Sequence, residues 1–546
     1  MKVRKMLGRR GRSFGAVVVA LGLLAAACGD SGGKSSTPTQ TGATGSTAAS
    51  ATTAAGTPTP GGELRYLLPI ESPSMDPCAW TYSGQGTNAL RAIPIYDSLI
   101  RLNNATGEYS YQIAESLKPS ADFKTWTLKI RSGVLFSDGT TFDAAAVKYN
   151  WERLGDPALK CQMAGQVAGI DSMTVVDPLT LAVTLKDPSS SFNDVVSSRI
   201  GVIGSPTAMK ALGADFGSKP VGAGPFVVES WVKDDKMVLV KNPKYYQASK
   251  GLPYLDKITI RPLLDENQRR ASLEKGEADL IFTQIPTTIA PLEANKNIKV
   301  TKYSLQGAEN MLFNVTTAPF KDVRARKAFI QSVDTKKLAE VVFANGLPPA
   351  DGFIYPESPY DNPSVKWPSY DCKAAGDAWA TLAKENGGPI KIVIGIFNQG
   401  QPPSAEFMQA ALTQCGGSNV QVSVDSVDAA AATARVFAKT FTVHGWGIQF
   451  VARPDSILTQ LTCGNARNTT GFCSTKMDDL LKTAKVTSDN ATLKTIYGQI
   501  EQILADEVPV FFYKRSVVAA AATPAVQGVS IFEDGIVPVE ELWLKK

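Results

Sequence analysis

The chain carries few side chains able to do chemistry. Among its 546 residues stand one His, at position 444, and seven Cys. A solitary His rules out the paired-His zinc sites of metalloproteases and the three-His sites of catalytic zinc. Nor does the lone His form a convincing triad with a Ser or Cys nucleophile. No H-E-x-x-H is present, and Gly32, Gly33, Lys34 and Ser35 lack the Gly five residues before Gly33 that a phosphate-binding loop needs. Paired carboxylates for glycoside cleavage are not marked by sequence, because Asp and Glu are common everywhere. No catalytic residue, metal site or cofactor is therefore expected, and a secreted hydrolase is only a remote alternative.

The cysteines read differently. Cys28 ends the apolar run GAVVVALGLLAAA, which follows a cluster of Lys2, Arg4, Lys5, Arg9, Arg10 and Arg12. A basic start, a short apolar stretch and small residues at its end are the marks of a secretory signal peptide over residues 1–27. The stretch is too short for a membrane span of about 20 residues. LAAAC also resembles a lipobox, so Cys28 is expected to carry a diacylglycerol anchor. The remaining Cys78, Cys161, Cys372, Cys415, Cys463 and Cys473 are an even set in an exported chain, which reads as disulfides. Fifteen pairings are open in principle. The sequence-local couples Cys78–Cys161, Cys372–Cys415 and Cys463–Cys473 are the expected ones.

Charge follows from the same segment. The chain has 56 Lys and Arg against 51 Asp and Glu, a net of +5. The six basic residues of the signal account for the excess, and without them 50 basic residues face 51 acidic ones. A near-neutral mature chain offers no electrostatic case for nucleic acid. Residues 28–61 beyond the signal form a lipidated Cys and a Gly/Ser/Thr/Ala/Pro segment with no large apolar side chain to bury. This predicts a disordered linker with a reach of roughly 30 Å.

The elements that must position any site begin at Gly62. From about 63 to 265 the pattern is strand and hairpin: Trp126, Leu128 and Ile130 alternate with polar neighbours, and SDG at 137–139 supplies a turn. One helix opens at Asp143 as N-cap and sets Val147, Trp151 and Leu154 on one face. From about 320 to 505 strands alternate with helices. KIVIGIF precedes a helix whose apolar side carries Phe407, Met408, Ala411 and Leu412, then come VQVSV, an Ala-rich helix to Phe437, and FTVHGWG. Helices around Met477–Ala484 and Leu493–Leu504 follow. Such alternation predicts an α/β domain.

Four ordered blocks carry a family resemblance: GGELRYLLPIESPSMDP; the long stretch from IYDSLIRLNN through SDGTTFDAAAVKYNWERL; PVGAGPFVVESW with VLVKNPKYY; and FNVTTAPFKDVRARKAFIQSVDTKKL. From Gly62 to its end the chain resembles the family 5 extracellular solute-binding proteins, the oligopeptide- and dipeptide-binding lipoproteins of ABC importers. The resemblance implies an α/β, two-lobed periplasmic-binding-protein-like fold (class II, cluster C type) with an extra strand-rich subdomain in the first lobe. Lobe I would span 62–305 plus 515–546, with the subdomain at about 97–206, and lobe II 306–514. A hinge would join them and a ligand would lie between.

The resemblance also implies site residues. In family members that take peptides, an Asp three residues after a Trp pairs the ligand's ammonium group. HGWGIQFVARPDSIL keeps Trp446 but places neutral Gln449 at that position. Either another carboxylate substitutes, or the ligand has no free α-amino group. Asp455 is expected to cap the short helix of SILTQL. Tyr82, Asn310 and Asn314 come from segments that the family turns toward ligand. Arg435 and Arg453 offer guanidinium groups to a ligand carboxylate, against the plainer reading of ordinary salt bridges. His444, on an apolar strand, is expected to be a core residue.

The function so implied is capture of a peptide or other small solute and its delivery to ABC permease subunits, without chemistry. The protein would be a monomer, exported, and held at the outer face of the cytoplasmic membrane through its lipid anchor, on the periplasmic or cell-surface side. A ligand-sensing surface receptor using the same closed form is the alternative.

Overall fold

The structure, a computed structural model, describes residues 56–79, 87–103, 106–344, 347–398, 402–450, 453–533 and 535–546. The signal segment, Cys28, the linker up to residue 55 and Tyr82 lie outside the described residues. No helix among the described residues is long and apolar enough to cross a membrane.

Local pattern becomes structure where it was strongest. Asp143 caps the helix Ala144–Gly155 by accepting from the Ala146 backbone N–H at 2.8 Å, and Val147, Trp151 and Leu154 are buried. Trp151 donates its indole N–H to the Ile200 carbonyl at 2.8 Å. Burying such a side chain while satisfying its polar atom contributes about 2–3 kcal/mol.

Strand β1 (Glu63–Leu68) belongs to a seven-stranded sheet, which the chain then leaves for a smaller strand-rich body. There β2 (Ile100–Asn103) and β3 (Glu108–Tyr111) form a hairpin. Four antiparallel strands follow, β4 (Ala114–Pro119), β5 (Thr125–Ile130), β6 (Ile170–Asp177) and β7 (Thr180–Leu185), in the order β4-β5-β7-β6. The predicted alternation is that of β5, with Trp126, Leu128 and Ile130 buried. The chain returns through β8 (Phe226–Val232), β9 (Lys236–Lys241), β10 (Lys257–Pro262), β11 (Leu280–Thr283) and β12 (Lys299–Ser304).

A second, five-stranded sheet is built from β13 (Gln306–Phe313), β14 (Ile390–Phe397), β15 (Val420–Val427), β16 (Val443–Phe450) and β17 (Val510–Lys514), in the order β15-β14-β16-β13-β17. β18 (Val517–Ala522) then crosses back and pairs between β12 and β11, giving the first sheet its order β12-β18-β11-β1-β10-β9-β8. The second sheet is covered on both faces. Phe313, Trp379, Ile394 and Phe511 belong to one core. Leu312, Tyr497 and Phe512 belong to the other, against the helices Thr475–Lys485 and Asn490–Glu507. Three disulfides, Cys78–Cys161, Cys372–Cys415 and Cys463–Cys473, join the expected sequence-local couples.

The two sheets exchange chain at two adjacent crossings. Leu305 alone links β12 to β13, and Arg515 with Ser516 links β17 to β18. The crossings are bonded to each other, the Leu305 N–H donating to the Ser516 carbonyl at 2.9 Å. Arg515 is buried there. It donates to the carbonyls of Gly307 at 3.2 Å, Phe353 at 3.0 Å and Ile354 at 2.9 Å, which ties both crossings to the loop before Tyr355.

Candidate ligand-binding site

Strand direction decides which ends of the sheets meet. In the first sheet β1 runs parallel to β10 and β11, and β12 shares their direction because both β11 and β12 are antiparallel to β18. The carboxyl ends of β1, β10 and β11 therefore lie at the end of the sheet where β12 reaches its crossing. In the second sheet β13 starts from that crossing, β16 is antiparallel to it, and β14 and β15 run with β16. Their carboxyl ends point to the same crossing. In open α/β sheets ligands bind outside the carboxyl ends of the strands, and here two such edges share one pair of crossings.

The first sheet presents apolar residues there. Ile70, Leu264 and Ile285 each lie two residues beyond the end of β1, β10 and β11, three adjacent strands, and are 50%, 74% and 42% exposed. Three large aliphatic side chains are thus exposed beyond the carboxyl ends of three adjacent strands.

In the second sheet Trp446 stands on β16 opposite Asn310 of β13, and Asn310 is opposite Phe512 of β17. The half-buried indole packs near Phe397 (ring centroids 5.5 Å apart) and edge-on to Phe437 (6.4 Å). Trp446, Gly447, Phe437, Phe353 and Phe512 line a cavity of about 200 Å3, together with Arg467 and Thr469. Asn310 is fully buried. Its Nδ2 donates to the Ala308 carbonyl at 3.2 Å, and its Oδ1 has no partner among the described residues. The structure thus brings Trp446 and Asn310 together; the Gln449 side chain lies outside what is described.

Asn314 and Arg435 are elsewhere. They line a broader groove of about 610 Å3 with Asp425 and His444. Asn314 donates to the carbonyls of Lys439 (2.9 Å) and Phe441 (3.0 Å) and accepts from Thr316, so its amide is occupied by the chain itself. The Arg435 guanidinium is bonded to the Asp425 carboxylate. His444 is a buried residue whose Nδ1 lies 2.8 Å from the Gly445 carbonyl, and burial pushes its pKa below the usual value. Its ring lies so close to Gly395 that a Cβ there would stand 2.5 Å from Cδ2.

Asp455 departs from expectation. It sits inside the first turn of the helix Asp455–Leu458 rather than capping it, and its carboxylate accepts from Arg453 and from the Tyr497 hydroxyl at 3.0 Å. A guanidinium and a phenol outcompete backbone N–H groups for a buried carboxylate. Arg453 also donates to the Ser190 hydroxyl at 2.8 Å and to the Ala484 carbonyl at 2.7 Å. Ser190 belongs to the strand-rich body, so this buried cluster joins that body to the helices that cover the second sheet. The Ser190 N–H donates to the Lys485 carbonyl at 2.7 Å and its hydroxyl to the Thr487 carbonyl at 2.6 Å. Nearby, Asp194 accepts from the Tyr109 hydroxyl, and burial pushes its carboxyl up to about 7 against the pull of Arg453 and of that hydrogen bond.

Sequence reasoning missed Arg467, Phe353 and the aliphatic trio. A lone Arg in a polar loop and single apolar residues after strands carry no local signal. Among the described residues no group of three or more His, Cys, Asp or Glu side chains is gathered as a metal site would require.

Comparison with known proteins agrees with this architecture. The profile of the bacterial extracellular solute-binding proteins, family 5 middle region, matches residues 108–468. The glutathione-binding protein GsiB of Escherichia coli (strain K12) is 32% identical over 413 residues, covering 73% of this chain and 78% of that protein. Among solved structures, the periplasmic binding protein DppA of Helicobacter pylori in complex with the peptide STSA superposes with a TM-score of 0.73 at 25% identity, over 89% of this chain and 99% of that one. NikA from Brucella suis in complex with Fe(III)-EDTA superposes with a TM-score of 0.77 at 22% identity, over 89% and 100% of the two chains, a likeness of fold. The two-lobed α/β architecture is that of these binding proteins, and the chain belongs to family 5 of the bacterial extracellular solute-binding proteins, the solute-binding proteins of ABC importers.

Proposed function

We propose that this protein is an exported lipoprotein that captures a peptide or peptide-like solute in a cleft between two lobes and delivers it to a membrane permease, with no chemistry of its own. Lobe I comprises 62–305 and 515–546, with its subdomain at about 97–206; lobe II comprises 306–514. The observation that carries the reading is the convergence of both sheets' strand ends on the paired crossings at Leu305 and Arg515–Ser516. Two thin crossings between two separately packed sheets are what a hinge requires, and a solute touching both lobes favours the closed form. The ligands named for relatives, glutathione and the peptide STSA, support a peptide-like solute.

Cys28 is the anchor in this reading, and the linker behind it keeps the receptor close to its permease, raising their effective concentration. Replacement of Cys28 by Ala should release the protein from membranes. The main test is a broad solute screen on the purified protein, read by thermal stabilisation and by compaction in small-angle scattering. Binding that both stabilises and compacts is expected. If no peptide, sugar or chelate does either, the reading fails.

A further inference from the structure

The cavity that Trp446 borders has an uneven chemistry. Its walls are mainly aromatic and aliphatic, and Arg467 is the one charged side chain among the described residues that line it. The Arg467 guanidinium is solvent-exposed and has no hydrogen-bond or ion-pair partner among the described residues. Asp455, twelve residues earlier in the chain, holds Arg453 and Tyr497 instead.

The loop that carries Arg467 is held in place. The Cys463–Cys473 disulfide closes it. Asn465 donates to the Thr459 carbonyl at 2.9 Å and accepts from the Arg467 N–H at 2.8 Å. Asn468 donates to the carbonyls of Thr462 (3.0 Å) and Phe472 (2.6 Å). A backbone fixed in this way brings Arg467 to the cavity rim and leaves only its side chain to be ordered on binding. A planar fork of N–H donors beside an apolar pocket suits a carboxylate attached to an apolar body.

We infer that the solute is anionic at this end, setting a carboxylate against Arg467 and an apolar or aromatic group into the cavity over Trp446. This rests on the proposed solute-binding function and deepens it. Among the described residues no carboxylate lines this cavity, so this contact makes no use of a ligand ammonium group.

The test uses the full chain and calorimetry with tripeptides containing Phe and with N-acetyl-phenylalanine, each paired with its C-terminal amide, and each tripeptide also N-acetylated. Amidation should raise Kd by about tenfold or more, the loss of one charge-assisted contact, and N-acetylation should change it little. Arg467→Ala, an exposed position whose variant should keep the wild-type Tm, should erase the difference between acid and amide; Arg467→Lys should restore part of it. Sensitivity to acetylation with indifference to amidation overturns the inference. So does an acid-to-amide ratio unchanged in Arg467→Ala, or failure of every acid in the set to bind. The mass of the solute released from protein purified from its own host separates the two readings: a neutral or cationic solute there sinks this inference and leaves solute capture standing.

Discussion

At Trp446 the indole is half-buried, near Phe397 and edge-on to Phe437, and borders a cavity instead of filling a core. Replacement by Ala is therefore expected to cost more in binding than in folding. Stability should fall by about 1 kcal/mol, less than for a fully buried aromatic, while solute Kd rises about 30-fold, near 2 kcal/mol. Urea unfolding and calorimetry on the same variant check both numbers. Asp194 is the opposite case, a buried carboxyl whose pKa is raised to about 7 from an unfolded value near 3.8. Between those values the folded protein holds a proton that the unfolded chain has released. Its contribution to stability is thus greatest below pH 4 and is lost as pH rises through 7. Tyr109, Arg453 and Asp455 are the titratable or charged groups that act on it. Asp194→Asn keeps an acceptor for Tyr109 without the charge. It should exceed the wild type in stability by a margin that widens by roughly 2 kcal/mol between pH 5 and pH 8. A constant margin across that range would refute the assignment.

At the scale of elements, the crossings depend on one side chain. Arg515 is buried and donates to the carbonyls of Gly307, Phe353 and Ile354, and burial lowers its pKa. Arg515→Met would leave three carbonyls without their donor and is expected to cost about 2–4 kcal/mol. Arg515→Lys should recover only part, since an ammonium lacks the fork that reaches several acceptors at once. Equilibrium unfolding of the two variants gives the comparison. Many elements were legible beforehand, because their signals are local. The Asp143 cap, the alternation in β5 and the apolar side of the helix Pro402–Gly416, where Met408 and Leu412 are buried, are set by residues within one turn or one strand of each other. Asp455 was misread as a cap because its true partners differ in kind: Arg453 is two residues away, and Tyr497 is 42.

For the whole molecule, the contact of Ser190 with Lys485 and Thr487 joins the strand-rich body to the second sheet's helices, away from the crossings. If the lobes hinge, this contact opens and closes with them. Hydrogen exchange at the Ser190 amide should slow by about tenfold or more on saturation with solute, while exchange at Trp126, inside the four-stranded sheet, stays unchanged. Equal protection with and without solute would show that the contact is permanent.

Composition and pattern alone determined the single His, the charge balance and, through four sequence blocks, the family, and they carry the expectation of an export signal. Each of these is written in residue type or in neighbours along the chain. The return of β18 into the first sheet, the exposure of Ile70, Leu264 and Ile285 beyond three adjacent strand ends, and the placing of Arg467 at a cavity lined from β13, β16, β17 and several loops and helices came only with tertiary structure. Such contacts join residues far apart in sequence, so no local periodicity records them. Whether a charged side chain is neutralised or left open to a solute depends on those same distant neighbours.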